Sequence, residues 1–138
     1  MLSMREYFNQ FKTIVVLGAS SDPYRTSYHI ARYLQKNGYR IVPVNPNEEE
    51  VLGEKSYPTL ADLPQDIEAD AVVIFRNKIY SEEMVQQIID WNLQRGGKKP
   101  VIWTQLDVSS KEARELAVSA GFPYVENRCM MVEHRSLS

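Results

Sequence analysis

The sequence predicts an α/β protein built on one open parallel sheet of about five strands, with helices on both faces. Three observations predict it. Short runs rich in Val and Ile alternate along the chain with segments whose apolar residues recur at helical spacing. The runs are apolar nearly throughout, as in strands covered on both faces, and lack the polar alternation of a half-exposed sheet. Glycines stand where the helical segments should stop.

Residues 13–18 (TIVVLG) form the first strand, which stops at Gly18. After a loop at 19–26, Ser27 is placed to cap a helix carrying Ile30, Ala31 and Leu34 on one face, and Asn37-Gly38 ends it. Residues 39–45 (YRIVPVN) are the second strand. Its Pro43 lacks a ladder N–H, so the last part should be an edge or a bulge. Prolines 46, 58 and 64 punctuate a connection that is mostly loop, with one helical turn at 60–63. The third strand is AVVIF at 71–75. It leads to a helix at 81–94 with Glu82 and Glu83 in its first turn and Val85, Ile88 and Ile89 on one face, stopped by Gly96-Gly97. Residues 94–100 read as a long surface connection. The fourth strand is 101–104, and Ser109-x-x-Glu112 is a capping-box signature for a helix that stops at Gly121. Residues 123–126 make a short fifth strand. With right-handed crossovers, the expected order is 3-2-1-4-5.

A chain of 138 residues with 43% hydrophobic content fits one domain over residues 1–138. Lys and Arg total 16 against 18 Asp and Glu, for a net charge of −2, and no basic block offers nucleic acid a footprint. Cys129 is the single cysteine, which rules out an intrachain disulfide framework. With only His29 and His134 beside it, a structural zinc site lacks ligands. Neither a secretion signal nor a membrane span is read, and the composition suits a reducing cytoplasm.

In an open parallel sheet the ligand crevice lies beyond the carboxyl ends of the strands. The first such loop joins Gly18, Ala19 and Ser20 to Arg25 and to Ser27 at a helix start, a set suited to an anionic phosphate. The loop lacks G-x-G-x-x-G. Strand two ends at Asn45-Pro46, where a dinucleotide site would carry a carboxylate for the ribose, and Glu48–Glu50 read as a solvated charge run. Both features count against NAD. Strand three runs into Phe75-Arg76 and strand four into Trp103, which could clasp a long, partly apolar anion or merely close the core.

Six ordered blocks carry a resemblance to a known family: VVLGASSDPYRTSYHIARYL at 15–34, GYRIVPVNP at 38–46, LGEKSYPTLADLP at 52–64, VVIFR at 72–76, WTQLDV at 103–108 and NRCMMVEHRSL at 127–137. The chain resembles the small stand-alone CoA-binding proteins, whose fold is similar to the CoA-binding domain of succinyl-CoA synthetase. That resemblance implies a Rossmann-like fold binding coenzyme A or an acyl-CoA. In it Gly18–Ser20, Arg25 and Ser27 meet the phosphates, Asn45-Pro46 borders the adenosine, and Phe75, Arg76 and Trp103 line the rest of the cleft. One position departs: the family usually places Gly where this chain has Asp107. A Gly there takes a positive φ that Asp adopts less readily, and a carboxylate would disfavour a nearby phosphate.

No catalytic machinery is visible. The chain cannot hold both a phosphohistidine site and an ATP-grasp domain. His29 reads as a packing or capping residue and His134 as a surface or docking residue, and Ser20 lacks a G-x-S-x-G setting. Cys129 next to Arg128 reads as a buried free thiol, with a reactive thiolate the other possibility. The expected role is a non-catalytic carrier, sensor or sequestering module; the alternative is a small NAD(P)-dependent oxidoreductase or a component of one. The apolar segment 129–132 offers a further strand or patch on which a homodimer could form.

Overall fold

The five buried runs assemble into a single parallel sheet. In the computed structural model, which describes residues 2–137, the chain runs through α1 (Met4–Gln10), β1 (Thr13–Leu17), α2 (Thr26–Lys36) and β2 (Arg40–Val44). A two-strand hairpin follows, β3 (Glu50–Val51) with β4 (Glu54–Lys55), then a 3-10 turn at Leu60–Asp62 and β5 (Ala71–Ile74). A second 3-10 turn (Lys78–Tyr80) leads into α3 (Ser81–Arg95), and β6 (Val101–Thr104), α4 (Lys111–Ser119), β7 (Tyr124–Val125) and α5 (Met130–Arg135) complete the chain.

The sheet order is β2-β1-β5-β6-β7, all parallel. The class is as predicted, a Rossmann-like α/β sheet with helices on both faces, but the order 3-2-1-4-5 is not. The third predicted strand, β5, pairs with β1 and leaves β2 on the outside. Pro43 explains why. Arg40 N–H donates to Lys12 and the Val44 carbonyl accepts from Gly18, so the even-numbered residues of β2 face β1. Pro43 therefore faces outward, where its missing N–H breaks no ladder. Its carbonyl there receives the N–H of Tyr57 at 3.1 Å, and Asn45 N–H donates to the Tyr57 carbonyl at 2.9 Å. The long connection thus covers the exposed edge before crossing to β5.

Alternation along the strands sends side chains into two layers. Val15, Val72, Ile74 and Ile102 pack beneath Val85 and Ile88 of α3 and Ala113 and Ala117 of α4. Ile14, Val16, Val73 and Trp103 face the other way, against Phe8 of α1, Ile30 and Leu34 of α2, and Met130 of α5. Two of these helices were not foreseen. α1 begins at a complete Ser3–Glu6 capping box and buries Tyr7 and Phe8. Segment 129–132, expected as an outer strand or patch, forms no strand and starts α5, with Met130 fully buried and Val132 exposed.

Two caps also shift by a residue or two. Arg25, not Ser27, is the N-cap of α2 and makes no side-chain cap bond. At α4 the cap is Ser110, whose hydroxyl accepts from Ala113 N–H, while Ser109 reaches Tyr124 and Glu126. No helix among the described residues is long and apolar enough to cross a membrane.

At the opposite end of the sheet, one Asp70 carboxylate oxygen accepts the N–H groups of Lys12 and Thr13, both at 2.9 Å, and the other pairs with Lys98. Burial pushes the Asp70 carboxyl up, but the Lys98 bond and charge and the two backbone donors outweigh it and hold the carboxyl below its ordinary value. A lowered native pKa contributes stability above the unfolded value of about 3.9, and that contribution is lost as pH falls through the native value. Asp70→Asn should therefore cost about 1–2 kcal/mol at pH 7. In urea titrations the gap to wild type should close below about pH 4; a gap that is independent of pH would assign Asp70 a purely steric role.

Candidate functional site

β1 stops at Leu17 because the next residue must come close to a neighbouring backbone. Gly18 has φ +91°, and a Cβ at that position would lie 2.3 Å from the Phe75 carbonyl oxygen. Only glycine fits both constraints. The Gly18 N–H donates to Val44 on one side, and Phe75 N–H donates to Leu17 on the other, so β1 is tied to both neighbours at its carboxyl end. This is also where the connections diverge, one to β2 and the next across to β5, which is the switch point of an open α/β sheet.

A crevice of about 1040 Å³ opens there. Its walls include eight of the ten residues singled out from sequence: Gly18, Ser20, Arg25, Ser27, Asn45, Pro46, Phe75 and Arg76. Local bonds shape the loop after β1 before any ligand arrives. Ser20 Oγ accepts from Asp22 N–H at 3.0 Å, Asp22 Oδ1 accepts from Tyr24 N–H at 2.9 Å, and Arg25 N–H closes a turn onto the Asp22 carbonyl at 3.0 Å. The 11-residue helix α2 starts directly after Arg25, so the positive end of its dipole faces the same space as the guanidinium. Arg76 stacks over the Tyr80 ring at 4.6 Å.

Two predicted site residues lie elsewhere. Ala19 is fully buried, and its contribution is a carbonyl held by Asn45 Nδ2 at 2.7 Å. Trp103 is fully buried too, with its indole N–H on the Arg128 carbonyl at 2.7 Å and its ring 5.7 Å from Phe8. Of the two readings of this tryptophan, the core holds. Phe75 differs because it is the first residue past β5, whereas Trp103 is inside β6 and takes the face that its register dictates.

Other wall residues were not among the ten. Tyr24, Met84, Gln87, Gln105 and Leu106 reach the crevice from loops and from α3. The buried Gln105 ties α5 to the site by accepting Met130 N–H at 3.0 Å. Cys129, half-buried, lines the crevice at the α5 start. Asp107 adopts φ +61°, keeping the left-handed turn that a glycine would make, and it is exposed and outside the crevice wall. His29 packs edge-to-face on Tyr28, and His134 is held by the Tyr33 hydroxyl at 2.7 Å among aromatic rings.

An anion-suited loop at the switch point of an open parallel sheet defines a nucleotide-binding class of α/β protein. Comparison with known proteins narrows the class: residues 12–135 match the CoA binding domain, and the chain belongs to that family. It is 29% identical over 131 residues to the uncharacterized protein YneT of Bacillus subtilis, covering 95% of this chain and 91% of that one. Against the acetate–CoA ligase (ADP-forming) II subunit alpha of Pyrococcus furiosus it is 31% identical over 84 residues, 60% of this chain and 18% of the ligase subunit. The chain thus spans most of the Bacillus relative but only 10–18% of the ligases. Among solved structures, a hypothetical protein from Pyrococcus horikoshii OT3 superposes with a TM-score of 0.86 at 39% identity, over 97% of this chain and 89% of that one. A Thermus thermophilus protein, cell-free ID.343, gives 0.86 at 33% identity over 99% and 100%.

A core tryptophan and a ligand-facing one respond differently to truncation. Trp103→Phe removes the bond to Arg128 and leaves a void, so stability should fall by about 2–3 kcal/mol. Affinity for CoA, measured well below the unfolding midpoint, should stay within about twofold of wild type. A large affinity loss with unchanged stability would return Trp103 to the site.

Proposed function

We propose that this chain binds coenzyme A or an acyl-CoA in the crevice at the carboxyl edge of the sheet, as a non-catalytic carrier, sensor or sequestering module of the cytoplasm. The whole chain serves as one binding unit. The observation that carries the reading is the convergence of Gly18, Ser20, Arg25 and the start of α2 on one crevice at the switch point, in a chain of the CoA binding domain family. In this reading the diphosphate sits over the loop at 18–27, Asn45 and Pro46 border the adenosine, and Phe75 and Arg76 flank the remainder. The volume suits a ligand of that size.

The end of β2 argues against a dinucleotide. The strand leads into Asn45, an amide already bonded to the Ala19 carbonyl and the Asn47 N–H, so it offers no carboxylate for the paired ribose hydroxyls of a dinucleotide. CoA should therefore bind at least about tenfold tighter than NAD in calorimetry, a difference of about 1.4 kcal/mol. Equal or reversed affinities would favour the oxidoreductase alternative.

Arg25 offers the sharper test. Its side chain is exposed on a polar loop, so truncation should cost the fold little, whereas a guanidinium on a phosphate makes a charge-assisted contact. Arg25→Ala should weaken CoA binding by about 1.5–3 kcal/mol and flatten its dependence on ionic strength. Unchanged affinity and an unchanged salt dependence would move the phosphate site elsewhere.

A further inference from the structure

Glu48 does not behave as part of a solvated charge run. Its carboxylate accepts the Ser21 N–H at 2.6 Å, and the Ser21 hydroxyl lies 2.7 and 3.0 Å from its two oxygens. The clasp joins residues 27 apart in sequence and links the two loops that flank one end of the crevice. On the first loop, Ser20, Tyr24 and Arg25 line the crevice beside Ser21; on the second, Asn47 lines it beside Glu48. Ser21 and Glu48 are themselves outside the wall.

We propose that Glu48 is a positioning residue for CoA: by holding Ser21 it fixes the loop at 18–27 in the shape that receives the phosphates. The inference rests on the CoA reading above. Two effects oppose each other. A carboxylate near a phosphate site repels the ligand, and a clasped loop spares the ligand the entropic cost of ordering it. The clasp should win, for three reasons. Ser21 is exposed and Glu48 only half-buried, so solvent and salt screen the carboxylate in part. Both oxygens are engaged by short, charge-assisted bonds, which are the strong kind. Without them, Asn45 on Ala19 would be the remaining side-chain tie from the second loop to the first among the described residues. The turn at 20–24 would then be shaped only by bonds within itself.

The test is a series of CoA titrations by calorimetry on the full chain. Glu48→Gln removes the charge at nearly constant shape and should weaken CoA binding about 5–20-fold, while the unliganded unfolding midpoint moves by no more than about 2 °C, as expected for an exposed pair. Ser21→Ala should weaken binding similarly. Ser21→Thr, which keeps both donors, should restore it, and the Glu48→Gln/Ser21→Ala double variant should be no weaker than the worse single variant. Amide exchange across residues 19–24 should speed up in unliganded Glu48→Gln. Glu48→Gln binding CoA as tightly as wild type, or more tightly, would overturn the positioning role and leave the CoA reading standing. A wild-type chain that binds no CoA would overturn both.

Discussion

The approach of Gly18 to the Phe75 carbonyl is the constraint on which the rest of the site depends. With a would-be Cβ at 2.3 Å from that oxygen and φ at +91°, no side chain can stand between the ends of β1 and β5. The first strand can therefore turn into its loop at the level of its neighbours, bonded to β2 through Gly18 N–H and to β5 through Leu17. Phe75 and Arg76 follow at once on the β5 side. The start of α2, the carboxyl end of β2 and the loop after β5 consequently face one volume. Sheet topology supplies the location, and this close contact supplies the shape.

Around that point the polar side chains of the loops are mostly occupied in building the loops. Ser20, Asp22 and Asn45 each satisfy a backbone group of their own or a neighbouring segment, and Ser21 is satisfied by Glu48. Such bonds compete with regular secondary structure and fix irregular backbone instead. Arg25 and Arg76 are the cations of the wall, and Arg76 is stacked on Tyr80. The loop thus presents an ordered backbone, a helix start and guanidinium groups, which is the preorganisation an anion site needs.

Much of this was legible in the sequence, and the failures have physical causes. Strands buried on both faces announce themselves as continuous apolar runs, so all five strands of the sheet could be placed. Which strands pair is not written in local propensity, and the order 3-2-1-4-5 was wrong even though Pro43 already marked β2 as an edge. α1 lay behind a readable Ser3–Glu6 box but is only seven residues long. α5 opens on Cys-Met-Met-Val, an apolar run whose type periodicity cannot decide at that length. Trp103 was misplaced by two positions: it lies inside β6 and faces the core, whereas the first residue beyond that strand, Gln105, lines the crevice as Phe75 does after β5. Glu48 was missed because its partner is 27 residues away, and no spacing rule connects two loops.

Charge is unevenly spread along the crevice. On the β2 and β1 side the wall carries the cation Arg25 and the polar Ser20, Asn45 and Asn47 among apolar Leu17, Val44 and Pro46; on the β6 side Leu106, Val108 and Cys129 stand beside Gln105, and Glu83, Met84 and Gln87 reach in from α3. The departure at Asp107 adds no carboxylate to this wall. Its carboxylate is exposed outside the wall, and an aspartate takes the left-handed turn that the family's glycine provides. A ligand filling the whole of this wall would meet the guanidinium of Arg25 at one end and no cation at the β6 end, and would be long enough to pass from the end of β2 across β1 and β5 to β6. Neighbouring strands lie about 4.8 Å apart, so three such steps span about 14 Å. A compact mononucleotide would leave the β6 end of that span unfilled, whereas a nucleotide carrying an extended, uncharged arm would reach it.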